Sequence, residues 1–143
     1  MATTYDKIYN RALAKIQDFD LVALQDRDLE EMLHGWLMAA IAKFRQCKND
    51  LSDRDEELRQ FNVDLEDEEV EILAIMVVRE WLAPQVHSAL LTKQIFGGKE
   101  ENYFSQSAHL KQLMDADTSL RVEAQKLSRD YSYNHDLRGY FET

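Results

Sequence analysis

The sequence contains few residues that interrupt a helix. Its 143 residues include one proline and four glycines, the residue types that mark turns, hairpins and glycine-rich ligand loops. Long stretches instead carry apolar residues at spacings of three and four, which is typical of amphipathic helices. The sequence therefore predicts an all-α fold, a small bundle of about four to five helices with a long C-terminal helix and an extended C-terminal tail.

Disulfides and long hydrophobic runs are also missing. Cys47 is the single cysteine, and a lone cysteine in a helical pattern is more often a small core residue than a reactive thiol. The apolar stretches fall short of the ~20 residues that span a bilayer, and the first residues lack the basic-then-apolar pattern of a signal peptide. We therefore expect a soluble protein, made in the cytosol, that makes no membrane contact.

Positive charge is scarce. Lysine and arginine total 17 against 27 aspartates and glutamates, a net charge of −10. This balance argues against wrapping a nucleic acid or binding an anionic membrane, because both need a cationic face. An acidic surface usually only keeps a protein solvated. Two other roles are consistent with it: DNA could pass close by without binding, or the surface could imitate DNA and occupy a basic site on a partner.

The apolar spacing predicts helices in the first two thirds of the chain. One begins near Tyr5, and a stronger one, capped by Asp26, covers residues 29–47. Gly35, in the middle of the second helix, suggests the close approach of a neighbouring helix. A third, buried helix follows the acidic residues 66–69, with a kink or a new start at Pro84.

Between the second and third helices the pattern is polar. Residues 50–60 are predicted to form a helical linker or an exposed arm, opened by a variant capping box at residues 52–55. Phe61, Val63 and Leu65 alternate with polar residues, but the run is too short to build a sheet. It is interpreted as an extended link.

The last predicted helix, capped by Ser105 or Ser107, carries a seam of apolar residues at alternating spacings of three and four. We favour packing of this seam along its own domain over packing against another subunit. The residues that would face another subunit are Leu110, Leu113, Asp117, Leu120 and Leu127.

Residues 132–143 differ from the helical domain of residues 1–131. They are expected to be non-helical and carry four large apolar or aromatic residues, Tyr133, Leu137, Tyr140 and Phe141. Such a segment is either a fraying tail or a docking segment that orders against a partner.

Chemical motifs are nearly absent. Glu31 and His34 have the Glu-x-x-His spacing of di-metal bundles, but such sites need two of these motifs and further glutamates. Gly97-Gly98-Lys99 lacks the spacing of a phosphate-binding loop. We therefore predict no enzyme activity, metal site or cofactor.

The order of segments resembles a family of structural proteins, the head–tail connectors, or adaptors, of tailed phages that infect Gram-positive bacteria. The similarity runs from about Tyr5 to Tyr131. It includes the sequence Leu-Glu-Glu-Met-Leu-His-Gly-Trp-Leu at residues 29–37, Leu-Ser-Asp-Arg-Asp at 51–55, Phe-Asn at 61–62 and Glu-Trp-Leu at 80–82.

This resemblance implies a neck protein of the virion. Such adaptors form a homo-oligomeric ring, typically twelve-fold, beneath the portal protein. They extend the channel through which double-stranded DNA leaves the head, without binding it specifically, and provide a platform for the next neck (stopper) protein. In some members the C-terminal segment binds the portal, a role that would fall here to Tyr133, Leu137, Tyr140 and Phe141.

Two other functions stay open. An acidic helical inhibitor that mimics DNA would bind a basic host factor tightly, with strong salt dependence. A small metal-binding bundle would purify with its metal and lose stability on chelation.

Overall fold

A computed structural model describes residues 2–16, 26–96 and 100–141. These residues form four helices and three strands of two residues each. The helices are α1 (Tyr5–Lys15), α2 (Asp26–Lys43), α3 (Asp67–Phe96) and α4 (Glu100–Phe141), and the strands are β1 (Thr3–Thr4), β2 (Arg54–Asp55) and β3 (Gln60–Phe61). The predicted all-α bundle with a long C-terminal helix is confirmed.

Helix α3 is the centre of the bundle, and α1, α2 and α4 all pack against it. Its first half is apolar around most of its circumference, which fits a helix covered on several sides. Its buried apolar side chains are Val70, Ile72, Leu73, Ala74, Ile75, Val77, Val78 and Leu82. The other helices each contribute one buried stripe to the same core, for example Ile8, Leu37 and Tyr131.

Helices α3 and α4 form an antiparallel hairpin. Arg79 Nε lies 3.8 Å from Asp117 Oδ1, and Glu69 accepts a hydrogen bond of 2.7 Å from Tyr131. The start of α3 therefore lies on the same side of the hairpin as the end of α4. Helix α4 has 42 residues and α3 has 30, so α4 continues past the beginning of α3.

The segment before α3 is a β-hairpin and not the predicted helical linker or arm. Strand β3 lies between β1 and β2 and pairs antiparallel with both, with Phe61 opposite Thr3 and Arg54. The side chain of Asp55 accepts hydrogen bonds from the backbone N–H groups of Glu57 and Leu58, at 2.9 and 3.0 Å. Such Asx interactions favour a turn over a helix, and the residues before α1 supply the second partner for β3.

Other sequence-based boundaries also shift. Helix α2 ends at Lys43, α3 continues through Pro84 without a new start, and α4 begins at Glu100, upstream of the predicted serine caps. The predicted extended tail is wrong for residues 132–141, which are helical. This stretch has no proline, and its one glycine, Gly139, costs only about 1 kcal/mol in a helix.

Gly35 does not mark a close helix contact. A Cβ atom built at Gly35 meets no described atom within 4 Å. The position is exposed, so the predicted close approach is wrong within the described part of the chain.

Candidate functional site

Glu69 is fully buried, with 0% of its surface exposed, and its carboxylate joins three parts of the chain. Its Oε1 accepts hydrogen bonds from Asn49 Nδ2 at 2.6 Å and from the N–H of Glu66 at 2.8 Å. Its Oε2 accepts from Tyr131 Oη at 2.7 Å and from Cys47 Sγ at 2.9 Å. The carboxylate therefore connects the start of α3, the loop after α2 and the last third of α4.

The position of Glu69 on its helix explains how a buried charge is tolerated. It is the third residue of α3, and its bond to the Glu66 N–H is one half of a capping box. The N-terminal end of a helix also favours negative charge. Burial opposes ionisation, but the bonds from Cys47, Glu66, Tyr131 and Asn49 outweigh it and lower the pKa of Glu69.

Tyr131 completes this cluster from the side of α4. Its Oη also accepts a hydrogen bond of 2.8 Å from the N–H of Lys48, and its ring meets Phe44 edge-on at 5.7 Å between centroids. The ring is fully buried. Tyr131 thus fixes α4 to the loop after α2, at the level where α3 begins.

Cys47 is a structural thiol. It is half-buried, and burial together with its hydrogen bond to Glu69 raises the pKa of the thiol to about 12. The nucleophilic thiolate is therefore scarce at neutral pH, in keeping with the sequence-based view of a core residue.

A second carboxylate, Glu56, holds the β2–β3 hairpin against the helices. Its Oε1 accepts 2.9 Å hydrogen bonds from Tyr5 Oη and Arg54 Nε. Its Oε2 lies 2.7 Å from His34 Nε2. Slight burial works against the charge, but the bonds from His34, Tyr5 and Arg54 lower the pKa of Glu56 to about 2.

The suspected Glu-x-x-His pair has separate partners. His34 contacts Glu56, whereas Glu31 Oε1 lies 3.3 Å from Arg59 Nη2. In the described ranges no group of three or more His, Cys, Asp or Glu side chains is placed to hold a metal ion. Within the same ranges, no helix is both long and apolar enough to cross a bilayer.

An open groove runs between α2 and α4, with α3 as its floor. One part has a volume of about 520 Å³, and a neighbouring part that shares Met76 and Arg79 has about 330 Å³. The first part is lined by Lys43, Met76, Arg79, Glu80, Ala83, Val86 and Asp117. The second is lined by Gln46, Met76, Arg79, Ala124, Gln125, Ser128, Arg129 and Ser132. We call these two parts together the α2–α4 groove.

The predicted seam of α4 packs within the chain. Leu110 is buried, Leu120 and Leu127 pack against the core, and Leu113 is half-buried. Asp117 faces Arg79 at the groove. These side chains therefore pack along their own domain, as favoured from the sequence. Their contact with another subunit stays a prediction.

The predicted docking residues follow the anchored part of α4. Tyr133 is exposed, two residues after the buried Tyr131. Leu137, Tyr140 and Phe141 lie on the helical backbone of α4, and their side chains fall outside the described ones.

Sequence reasoning missed the two carboxylate clusters and the hairpin turn. Glu69 was recognised only as one of several acids at a helix start. Its spacing of three from Glu66 was the available signal for a capping box. Glu56 gave no such signal, because its partners Tyr5 and His34 are distant in sequence.

Comparison of the chain with protein families, curated proteins and solved structures found no match.

Proposed function

We propose that this protein is a neck adaptor of a tailed phage. In this role it forms a homo-oligomeric ring, typically twelve-fold, beneath the portal protein at the head–tail interface of the virion. The ring extends the DNA channel and receives the next neck protein on its other side. The proposal assigns the chain no reaction, metal or cofactor.

The observation that carries this proposal is the unequal length of the α3–α4 hairpin. Tyr131 lies beside Glu69 near the start of α3, and the helix continues for the ten residues from Ser132 to Phe141. At 1.5 Å per residue this extension is about 15 Å long. We call residues 132–141 the α4 extension. A helix that continues beyond its partner helix in this way is suited to reach a neighbouring protein.

The composition of the α4 extension supports a docking role. It contains two tyrosines, a leucine and a phenylalanine in ten residues, and aromatic residues are common among the energetically dominant residues of interfaces. Tyr133, the first of them, is exposed. Binding by many copies in a ring multiplies a modest affinity per segment.

The charge of the chain supports passage of DNA. With a net charge of −10, a ring of copies would repel phosphate groups and hold no DNA in its channel. Some acidic side chains are paired, for example Glu71 with Lys15 at 2.6 Å and with Arg11 at 3.5 Å, and Glu80 with Lys43. The other acids carry the net charge.

The proposal is tested with the portal protein encoded by the same genome. The full-length chain, mixed with assembled portal, should co-sediment as a ring visible by electron microscopy. A chain ending at Tyr131 should fold normally, since the Glu69 cluster is intact, but bind portal at least about tenfold more weakly, a loss of about 1.4 kcal/mol.

The matched control is Val122→Ser, which changes an exposed apolar side chain of α4 before the extension. It should leave portal binding unchanged. Failure of the full-length chain to bind portal, together with its absence from purified virions, would reject the adaptor function. Equal binding by the shortened chain would reject only the role of the α4 extension.

A further inference from the structure

The turn between β2 and β3, residues Glu56–Arg59, presents an apolar side chain to solvent. Leu58 is 65% exposed, the highest value among the large exposed apolar residues of the described ranges. It lies next to the exposed acid Glu57. A single exposed leucine is unremarkable by itself, so the construction of the turn around it decides whether it is suited to binding.

This turn is rigid. The side chain of Asp55 accepts hydrogen bonds from the N–H groups of Glu57 and Leu58, at 2.9 and 3.0 Å. Arg59 has a φ of 52°, in the left-handed region that non-glycine residues rarely adopt. Its carbonyl accepts a 2.9 Å bond from the N–H of Tyr5. Leu58 is therefore held out by a strained but firmly fixed backbone, which lowers the entropy cost of binding.

The α2–α4 groove has complementary properties. Met76, Ala83 and Val86 give its floor apolar character, and the cations Lys43, Arg79 and Arg129 line it together with Glu80 and Asp117. Arg79 Nε is buried without a hydrogen bond among the described residues, since Asp117 Oδ1 at 3.8 Å is too far to accept one. The groove therefore offers an apolar floor, the exposed cation Arg129 and an arginine whose Nε makes no hydrogen bond in the described part of the chain, while Lys43 is already paired with Glu80.

The turn and the groove of one copy lie apart. Arg59 contacts Glu31 on α2, whereas the groove includes Lys43, twelve residues further along that helix. This separation is about 18 Å at 1.5 Å per residue. A contact between one copy's turn and another copy's groove is therefore heterologous, the kind that builds rings or filaments.

We infer that the β2–β3 turn of one copy docks in the α2–α4 groove of the next copy, with Leu58 on the apolar floor and Glu57 toward Arg79 and Arg129. The occupant is a second copy of this chain. The contact deepens the proposed function, because it supplies the subunit interface of the ring and rests on that ring for its biological role. Its first test needs no portal.

The inference is tested by photo-crosslinking and by self-association. A photoreactive phenylalanine analogue at position 58 is incorporated into unlabelled chain, which is mixed with ¹⁵N-labelled chain at high concentration. We expect crosslinks from position 58 to groove peptides of the labelled copy. Leu58→Ser should weaken self-association in sedimentation equilibrium by roughly 10- to 100-fold, as expected for uncovering a leucine. The control Val122→Ser should not.

Charge reversal provides a second readout that misfolding does not reproduce. Glu57→Lys and Arg129→Glu change exposed side chains, so each should keep the fold and weaken association. An equimolar mixture of the two variants should recover it, because the altered turn of the first variant meets the altered groove of the second, and the unaltered turn of the second meets the unaltered groove of the first. The double variant should recover it as well, because its altered turn meets an altered groove. No recovery in the double variant would contradict the placement of Glu57.

The inference is overturned if crosslinks from position 58 fall outside the groove, or if none form at high concentration and none form in the ring assembled with portal. It is also overturned if Leu58→Ser associates as the parent chain does. Crosslinks in the groove without portal binding would support the contact and reject the adaptor function. A portal-bound ring without these crosslinks would do the reverse.

Discussion

Glu69 shows how one side chain can hold together segments that are far apart in sequence. The loop after α2 reaches it through Cys47 and Asn49, and α4 reaches it through Tyr131. A buried acceptor that loses one of its donors keeps the cost of its lost hydration. Each donor is therefore worth more to stability than an equivalent hydrogen bond on the surface.

Removing the Tyr131 hydroxyl tests this view. Tyr131→Phe keeps the ring against Phe44 but removes the hydrogen bonds that the hydroxyl makes with Glu69 Oε2 and with the Lys48 N–H. We expect a loss of about 1–3 kcal/mol in the free energy of unfolding, measured by urea denaturation. Tyr133→Phe is the control, because this hydroxyl is on an exposed side chain. Equal stability of the two variants would contradict the role given to Tyr131.

Glu56 should contribute to stability in a pH-dependent way. Its pKa in the folded protein is about 2, below the ordinary 4.5. Its ionised form therefore stabilises the fold above pH 4.5, and this contribution disappears as the pH falls toward 2. The side chain is about half exposed, so solvent screening limits the contribution to about 1 kcal/mol or less.

The corresponding measurement compares Glu56→Gln with the parent chain in urea at several pH values. The variant should be less stable at pH 6, and the difference should shrink between pH 4.5 and pH 2. Glu57→Gln, at an exposed neighbouring position, should show no such trend. A difference that stays constant down to pH 2 would mean that Glu56 is not held in its charged form by the fold.

At the scale of single elements, α2 contains an opportunity for stabilisation. Gly35 lies within the helix, is exposed and has free space where a Cβ would be. Gly35→Ala should therefore raise the free energy of unfolding by up to about 1 kcal/mol. For a chain of this size the melting temperature should rise by a few degrees. A lower melting temperature would show that the added methyl group disturbs the fold, contrary to the free space found at this position.

The long periodic elements were predictable from the sequence. The buried character of α3 and the seam of α4 follow from apolar spacing, because a helix must cover its apolar stripe. The hairpin at residues 54–61 was not predictable, since its strands are two residues long and one partner strand is Thr3–Thr4. Helical order at residues 132–141 also differs from the sequence-based expectation, because the aromatic content indicated docking although the stretch contains no proline to end a helix.

At the scale of the whole molecule, the main core occupies one end of the α3–α4 hairpin, and Leu110 of α4 is buried outside it. Leu82 is the last buried residue of α3 among those described, and no described side chain from Ala83 to Leu91 is buried. Helix α3 nevertheless continues to Phe96, through Pro84, which lacks a backbone N–H. Stability should therefore differ between the two halves of one continuous helix.

Native-state hydrogen exchange measures this difference directly. Amides of α3 before Leu82 should exchange only on global unfolding, whereas those after Leu82 should exchange through local opening at lower free energy. Binding of the turn of a second copy in the α2–α4 groove should slow exchange near Val86. Uniform protection along α3 in the isolated chain would show that the distal part is as stable as the core.

The number of residues in α4 after Tyr131 sets how far the end of this helix lies from the core. Because Tyr131 fixes the helix where α3 begins, residues added after it would leave the core as it is. Seven extra residues, nearly two turns, would move the end of the helix outward by about 10 Å and rotate it by only about 20°. Insertions of seven would therefore change the spacing between this protein and whatever it reaches, while presenting nearly the same side of the helix.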